Sequence, residues 1–229
     1  MNILALDTSM GACSTAVLRA GGAARALFAR QETMERGHAE ALMPMVAEVM
    51  QEASLEFAEL DVIAATVGPG SFTGVRIAIA AARGLALVTR TKLYGTDSLT
   101  VMARTAFLSG VTLRKPFSVA VDARRGMLYL GLYDENGTKR NGPLLIAPED
   151  AVDLLPDALT TCVGNGAVLL AEAAALRGRR IDAALPDLQP SAAALAEIAL
   201  EAGETVPILR PLYLRPPDAK PQAQAIAKR

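Results

Sequence analysis

The sequence predicts an α/β protein built from two related lobes, each a mixed sheet with flanking helices. Three observations carry this: a strand–turn–strand pattern occurs twice, a glycine-rich strand exit recurs at the matching place in each half, and strand-like and helical periods alternate along the chain. In the first copy residues 3–6 form an apolar run ending at Asp7, then comes Gly11, then a second run over 12–18 closed by Gly21-Gly22. In the second copy residues 118–121 end at Asp122, then comes Gly126, then 127–133 closed by Asn136-Gly137. Superposed without a gap, Asp7 falls on Asp122, Gly11 on Gly126 and Gly22 on Gly137. The strand at 62–67 leads into Gly68-Pro69-Gly70, and residues 160–163 lead into Gly164-Asn165-Gly166; both exits read V-G-x-G and precede a helix.

The elements follow in order. Strands are predicted near 2–8, 12–19 and 23–30, a helix over 37–53, a strand over 61–67 and a long helix over 73–90. The second half starts with a helix near 97–108, then strands 117–122 and 127–134, a short helix from Pro148, strand 160–164 and helix 167–177. Ser191 is placed to cap a last helix running to Ala202, where Gly203 stops it. The expected lobes are 1–104 and 105–215, followed by a Pro-, Ala- and Lys-rich tail over 216–229 that is expected to fray.

Composition bounds the function. At 229 residues, with 52% apolar and 21% charged residues, the chain can bury a core and is too apolar for disorder; with aromatics at 4% that core must be aliphatic. A net charge of −1 excludes an all-over basic coat. Cations do concentrate between residues 73 and 125: Arg76, Arg83, Arg90, Lys92, Arg104, Arg114, Lys115, Arg124 and Arg125 stand against Asp97 and Asp122 alone. That asymmetry fits either a face for an anionic partner such as tRNA or scattered solvated charges. Cys13 and Cys162 sit in separate apolar strands and form no disulfide framework or CxxC pair. The N-terminus lacks a signal-peptide pattern and no uncharged run reaches bilayer-spanning length, so a cytoplasmic protein without membrane attachment is expected.

Chemistry-bearing residues cluster at the two turns. Asp7-Thr8-Ser9-Met10-Gly11 offers an acid, hydroxyls and a glycine amide, which suits phosphate and hydrated Mg²⁺. The copy, Asp122-Ala123-Arg124-Arg125-Gly126, has lost both hydroxyls and gained two cations. Gly68-Pro69-Gly70-Ser71-Phe72-Thr73-Gly74 opens a helix, whose free amides form an anion site; the same glycines and Ser/Thr cap also serve any tight strand-to-helix turn. The loop is neither a Walker A nor a GxGxxG sequence, so ATP or ADP is a ligand the turns could take and no cofactor is assigned. His38 is the only histidine, with Leu42 at its i+4 position, so no His/Cys metal site is expected.

The two helices of the first lobe carry apolar patterns. Ala39, Leu42, Val46, Val49 and Ala53 recur at steps of three and four, with Met43 and Met50 alongside. Residues 75–88 are apolar nearly all round, as in a helix covered on both sides, and Ala78, Ala81, Ala82 and Gly84 allow close approach.

These residues resemble the TsaB (formerly YeaZ) family: Asp7-Thr8-Ser9, Arg36-Gly37-His38, the Gly68–Gly74 loop with Val75-Arg76, and Pro211-Leu212-Tyr213-Leu214-Arg215, in order along almost the whole chain. The resemblance implies the actin-like (ASKHA, ribonuclease H-like) duplicated fold and a part in making N6-threonylcarbamoyladenosine at tRNA position 37. It implies a non-catalytic subunit that pairs with the catalytic sister TsaD, supports docking of the ATPase TsaE, meets tRNA through the complex, and self-associates as a homodimer without TsaD. The sister enzyme holds its metal with a histidine pair at i, i+4; the comparable stretch, residues 93–100, has no histidine, so neither catalysis nor the old glycoprotease label is expected. By the same resemblance the partner interface is expected at His38, Ala39, Leu42, Met43, Val46, Val49, Met50, Val75, Ala78, Ile79, Ala82 and Arg83. The alternative reading is an ATP-dependent phosphotransferase or ATPase of the same fold, which Arg124-Arg125 in the second turn disfavours.

Overall fold

The computed structural model describes residues 1–21, 24–111, 113 and 116–215. The expected frayed tail (216–229), Gly22 of the first hairpin, and Arg114 and Lys115 of the basic stretch lie outside the described residues.

Two five-stranded sheets repeat one topology. In the first, β1 (Asn2–Asp7) and β2 (Ala12–Gly21) form an antiparallel hairpin and β3 (Ala24–Thr33) continues the meander. Helix α1 (His38–Glu52) then crosses to β4 (Val62–Thr66), parallel to β1, and α2 (Phe72–Thr89) crosses to β5 (Lys92–Thr96), giving the order β3-β2-β1-β4-β5. After α3 (Ser98–Leu108) the plan restarts with β6 (Phe117–Asp122), β7 (Leu128–Tyr133) and β8 (Lys139–Ile146). The short α4 (Pro148–Ala151), β9 (Thr161–Val163), α5 (Ala167–Leu176), β10 (Asp182–Ala184) and α6 (Ala192–Ala202) complete it, in the order β10-β9-β6-β7-β8. The duplicated α/β fold expected from the sequence is therefore present, strand for strand.

The strands at the centre of each sheet are buried on both faces, which explains their unbroken apolar runs. Alternation then sorts side chains between layers. Leu4, Leu6, Cys13, Val17, Ile63 and Ala65 face α1 and α2, whereas Ile3, Ala5, Ala16, Leu18, Val62 and Ala64 face Leu195, Ala196 and Ala199 of α6. In the second sheet Leu128, Leu130 and Cys162 pack towards α4 and α5, and Phe117, Val119 and Val121 pack towards Leu99, Met102 and Ala106 of α3. The closing helix of each half thus covers the other half's sheet, and α3 and α6 pack together between the lobes. The expected lobe limits put Ala192–Ala202 with the second lobe; its apolar side lies on the first sheet instead.

Capping follows the sequence. Ser71, Asp97 and Ser191 accept hydrogen bonds from Gly74, Thr100 and Ala193 amides at the starts of α2, α3 and α6, and Gly203 ends α6 at φ +62°. The gap-free hairpin match breaks at one point. Asp7 pairs with Ser14 but Asp122 pairs with Leu128, so the second turn is one residue shorter than the first. The tighter turn puts Arg124 and Arg125 in the left-handed region, at φ 64° and 56°.

Candidate functional site

The first turn and the loop after β4 meet at the upper end of the first sheet, and they meet through backbone. A Cβ on Gly70 would stand 2.2 Å from the Ser9 carbonyl oxygen, and one on Gly74 would stand 2.0 Å from that of Thr8. Only glycine permits this approach. The Ser71 amide donates to Ser9 O at 2.8 Å, while Thr8 Oγ1 donates to Gly74 O at 2.7 Å and accepts from the Ala78 amide at 3.1 Å. Thr8 therefore fastens the first turn of α2 instead of facing solvent.

Asp7, Thr8 and Ser9 are fully buried. The Asp7 carboxylate accepts from Ser9 Oγ at 2.9 Å, from the Ser9 amide at 3.2 Å and from Thr66 Oγ1; Ser98 Oγ in turn donates to Ser9 Oγ at 3.0 Å. All these donors are neutral, so burial dominates and lifts the Asp7 pKa to about 6, with the hydrogen bonds from Thr66 and Ser9 holding it back from rising further.

The second turn faces the first across a cleft of about 760 Å³. Gly11, Gly70, Ser71 and Asp122, predicted as site residues, line it. Asp7, Thr8, Ser9, Gly68, Thr73, Gly74, Gly126, Gly164 and Gly166 do not; the last two support the wall from behind, since a Cβ on Gly164 would stand 2.5 Å from Ala120 O. Asp122 Oδ1 accepts from the Arg124 amide at 2.7 Å, and its own amide donates to Asn165 Oδ1 at 2.9 Å. Gln189 joins the lobes by accepting from the Gly11 amide at 2.9 Å. Gln189 and Tyr129 line the cleft without any motif that marks them in sequence, and Asn165, the middle residue of the second V-G-x-G exit, lines it too. Among the described residues no group of three His, Cys, Asp or Glu is placed to hold a metal ion.

A family model described as TsaD, tRNA N6-adenosine threonylcarbamoyltransferase, matches residues 30–206. The structure of YeaZ from Pseudomonas aeruginosa superposes with a TM-score of 0.78 at 31% identity, covering 93% of this chain and 99% of that one. The tRNA threonylcarbamoyladenosine biosynthesis protein TsaB of Escherichia coli (strain K12) is 37% identical over 139 residues. The chain belongs to the TsaB/YeaZ family. That match covers 60% of this chain and 58% of the Escherichia coli protein; for TsaB of Buchnera aphidicola subsp. Schizaphis graminum, 33% identical, the shares are 59% and 62%. An uncharacterized protein of Mycobacterium tuberculosis is 34% identical over 96% of this chain and 95% of its own length. The two matching sheets are accordingly the duplicated actin-like fold of this family.

In this TsaB-family chain the expected partner face is largely turned inward. Leu42, Val46, Val49 and Met50 of α1, and Val75, Ala78, Ile79 and Ala82 of α2, are 0–4% exposed and form one cluster with Leu4, Leu6 and Ile63 of the sheet. The regular apolar stripe is the side each helix lays on its own sheet, so these eight residues are corrected from interface to core. Ala39, Met43 and Arg83 remain exposed, and His38 is half-buried with Nε2 3.0 Å from Met10 O. The outer surface of α2 instead presents Ala80, Gly84, Leu87 and Val88, the last two 82% and 83% exposed. The basic stretch also divides: Arg76 and Arg83 are exposed on α2 with Arg90 just past its end, Arg104 pairs with Glu201, and Arg124 lies across the cleft near Asp122. Burial raises the thiol pKa of Cys13 to about 11 and of Cys162 to about 12, so both stay protonated.

Two outcomes are expected. Because the folded Asp7 pKa lies above its unfolded value of 3.8, the folded state binds the proton more tightly, and this group's contribution to stability falls as pH rises from about 4 to about 6, then levels. Asp7→Asn should remove that slope and raise stability at pH 7.5 by about 2–3 kcal/mol, read by urea unfolding across pH, since the Ser9 and Thr66 hydroxyls can reverse to accept from the amide. Gly74→Ala should destabilise by about 3 kcal/mol or more in the same assay, because backbone must move to admit the methyl.

Proposed function

We propose that this chain acts by binding, as the non-catalytic partner subunit in tRNA threonylcarbamoyladenosine biosynthesis. The observation that carries the reading is the outer face of α2, where Leu87 and Val88 stand in solvent beside Ala80 and Gly84. Small residues let a second helix approach closely, and exposed aliphatic side chains at that spacing have water to gain from shedding. Met43 and Ala39 on the adjoining α1 supply adaptable apolar surface. The matching partner is TsaD, whose family model this chain itself fits, so that two similar helix pairs form one bundle. In TsaD's absence the same face serves a homodimer, because a self-complementary patch satisfies a two-fold axis. TsaE docks on the assembled pair, tRNA is met through the complex, and the assembly works in the cytoplasm.

Several features favour binding over bond-making here. The sole histidine is engaged by Met10 O, and the hydroxyls of Thr8 and Ser9, which a phosphate would need, are spent on internal hydrogen bonds. Calorimetry of the isolated chain with ATP and Mg²⁺ should give no binding heat at micromolar concentrations; a micromolar site with turnover would restore the ATPase reading.

Leu87→Glu with Val88→Glu should weaken co-purification with TsaD by at least about tenfold while leaving the melting temperature of the isolated chain nearly unchanged. Leu42→Glu, which puts a charge into the core, should instead unfold the chain. Survival of the complex in the double variant would refute this interface. In a reconstituted assay with TsaD and TsaE, tRNA modification should fail when this chain is omitted.

A further inference from the structure

Residues 206–215 run from the edge of the first sheet to the mouth of the inter-lobe cleft, and their two halves are held differently. The Val206 amide donates to Leu93 O at 2.8 Å, and the Leu212 amide to Val67 O at 2.7 Å. Between them Leu209 is buried over Gly95, where a Cβ would come within 2.5 Å of its Cδ2. Up to Leu212 the segment is welded on by main chain and core. Beyond it, the described contacts are made by side chains. The Tyr213 ring lies 5.4 Å from that of Phe72, and the Arg76 guanidinium sits 3.3 Å over Phe72 and 5.1 Å from Tyr213. Arg215 Nη2 donates across to Arg124 O, on the opposite wall, at 3.3 Å. Leu212, Tyr213, Leu214 and Arg215 all line the cleft.

We propose that residues 213–215 form a gate over the cleft, hinged at Leu212 and held shut by Arg76. One leaf of the hinge is fixed, because Phe72 and Arg76 stand on the first turns of α2, which Gly70 and Gly74 pin to the Thr8–Ser9 backbone. The moving leaf is tied weakly. Phe72 and Tyr213 are 50% and 42% exposed, and a cation–ring contact in that setting, with one long hydrogen bond, holds open and shut forms within about a factor of ten of each other. Among the described residues no carboxylate pairs with Arg76, so its charge is left to the rings. The gate sets access to a pocket whose polar lining includes Glu35, Ser71, Asp122, Arg124, Asn165 and Gln189.

The chain has no tryptophan, so Tyr213→Trp gives a single reporter. Adding Arg76→Ala should raise acrylamide quenching of that indole about two- to threefold, and speed chymotryptic cleavage after residue 213 by a similar factor. Arg76→Lys, which keeps the charge but not the planar stack, should fall between. Phe72→Leu should behave like Arg76→Ala, since it removes the ring that seats the guanidinium. Both exposed-site variants should melt with the parent. Unchanged quenching and cleavage in Arg76→Ala, or an increase that appears only together with a lowered melting temperature, would overturn the gate.

Discussion

Two carbonyl oxygens, on Thr8 and Ser9, lie where side chains at positions 70 and 74 would otherwise be, and much of the molecule is arranged around that contact. It brings the end of β1 against the start of α2 with no intervening atoms. The close approach lets Thr8 clasp the first turn of α2, lets the Ser71 amide reach Ser9 O, and buries Asp7 beneath them. It also orients α2, so the helix lays Val75, Ala78, Ile79 and Ala82 on the sheet and leaves its far end in water. The glycines at 70 and 74, a residue type that in a phosphate loop lets backbone amides approach a ligand, here let backbone approach backbone.

An acid, two hydroxyls and a glycine loop are the ingredients of anion and metal binding, yet in this chain they satisfy one another. Among the described residues no cation pairs with the Asp7 carboxylate; it is tolerated because hydroxyl and amide donors surround it, while burial keeps its pKa raised. In the second half the corresponding turn is built differently. Shortened by one residue, it directs arginines at 124 and 125 through left-handed backbone beside the cleft.

The fold was legible because its signals are local: Asp–Gly offsets in the hairpins, Ser191 and Gly203 as the start and stop of the last helix, buried runs at β1, β4 and β6. Strands β5, β8 and β10 left no such mark, since Lys139-Arg140-Asn141-Gly142-Pro143 reads as loop and Asp182–Ala184 is only three residues. The candidate site was legible in part. Gly11, Gly70, Ser71 and Asp122 do border the cleft, whereas Gln189 reaches it through tertiary position alone. On α1 and α2 the periodicity identified an apolar side correctly but could not say what covers it. A stripe regular enough to be seen, such as Leu42–Val46–Val49, is the side a helix gives to its own sheet. The surface left over, Leu87 and Val88, falls off that period.

The exchange of α3 and α6 between the sheets has a consequence for how the chain is made. One face of the first sheet, Ile3, Ala5, Val62 and Ala64, packs on Leu195, Ala196 and Ala199, which are synthesised long after it. At ribosomal speeds of about 5–20 residues per second, that face waits several seconds for its cover. Each half thus lends its closing helix to the sheet of the other. The first sheet is made before the second and completed after it.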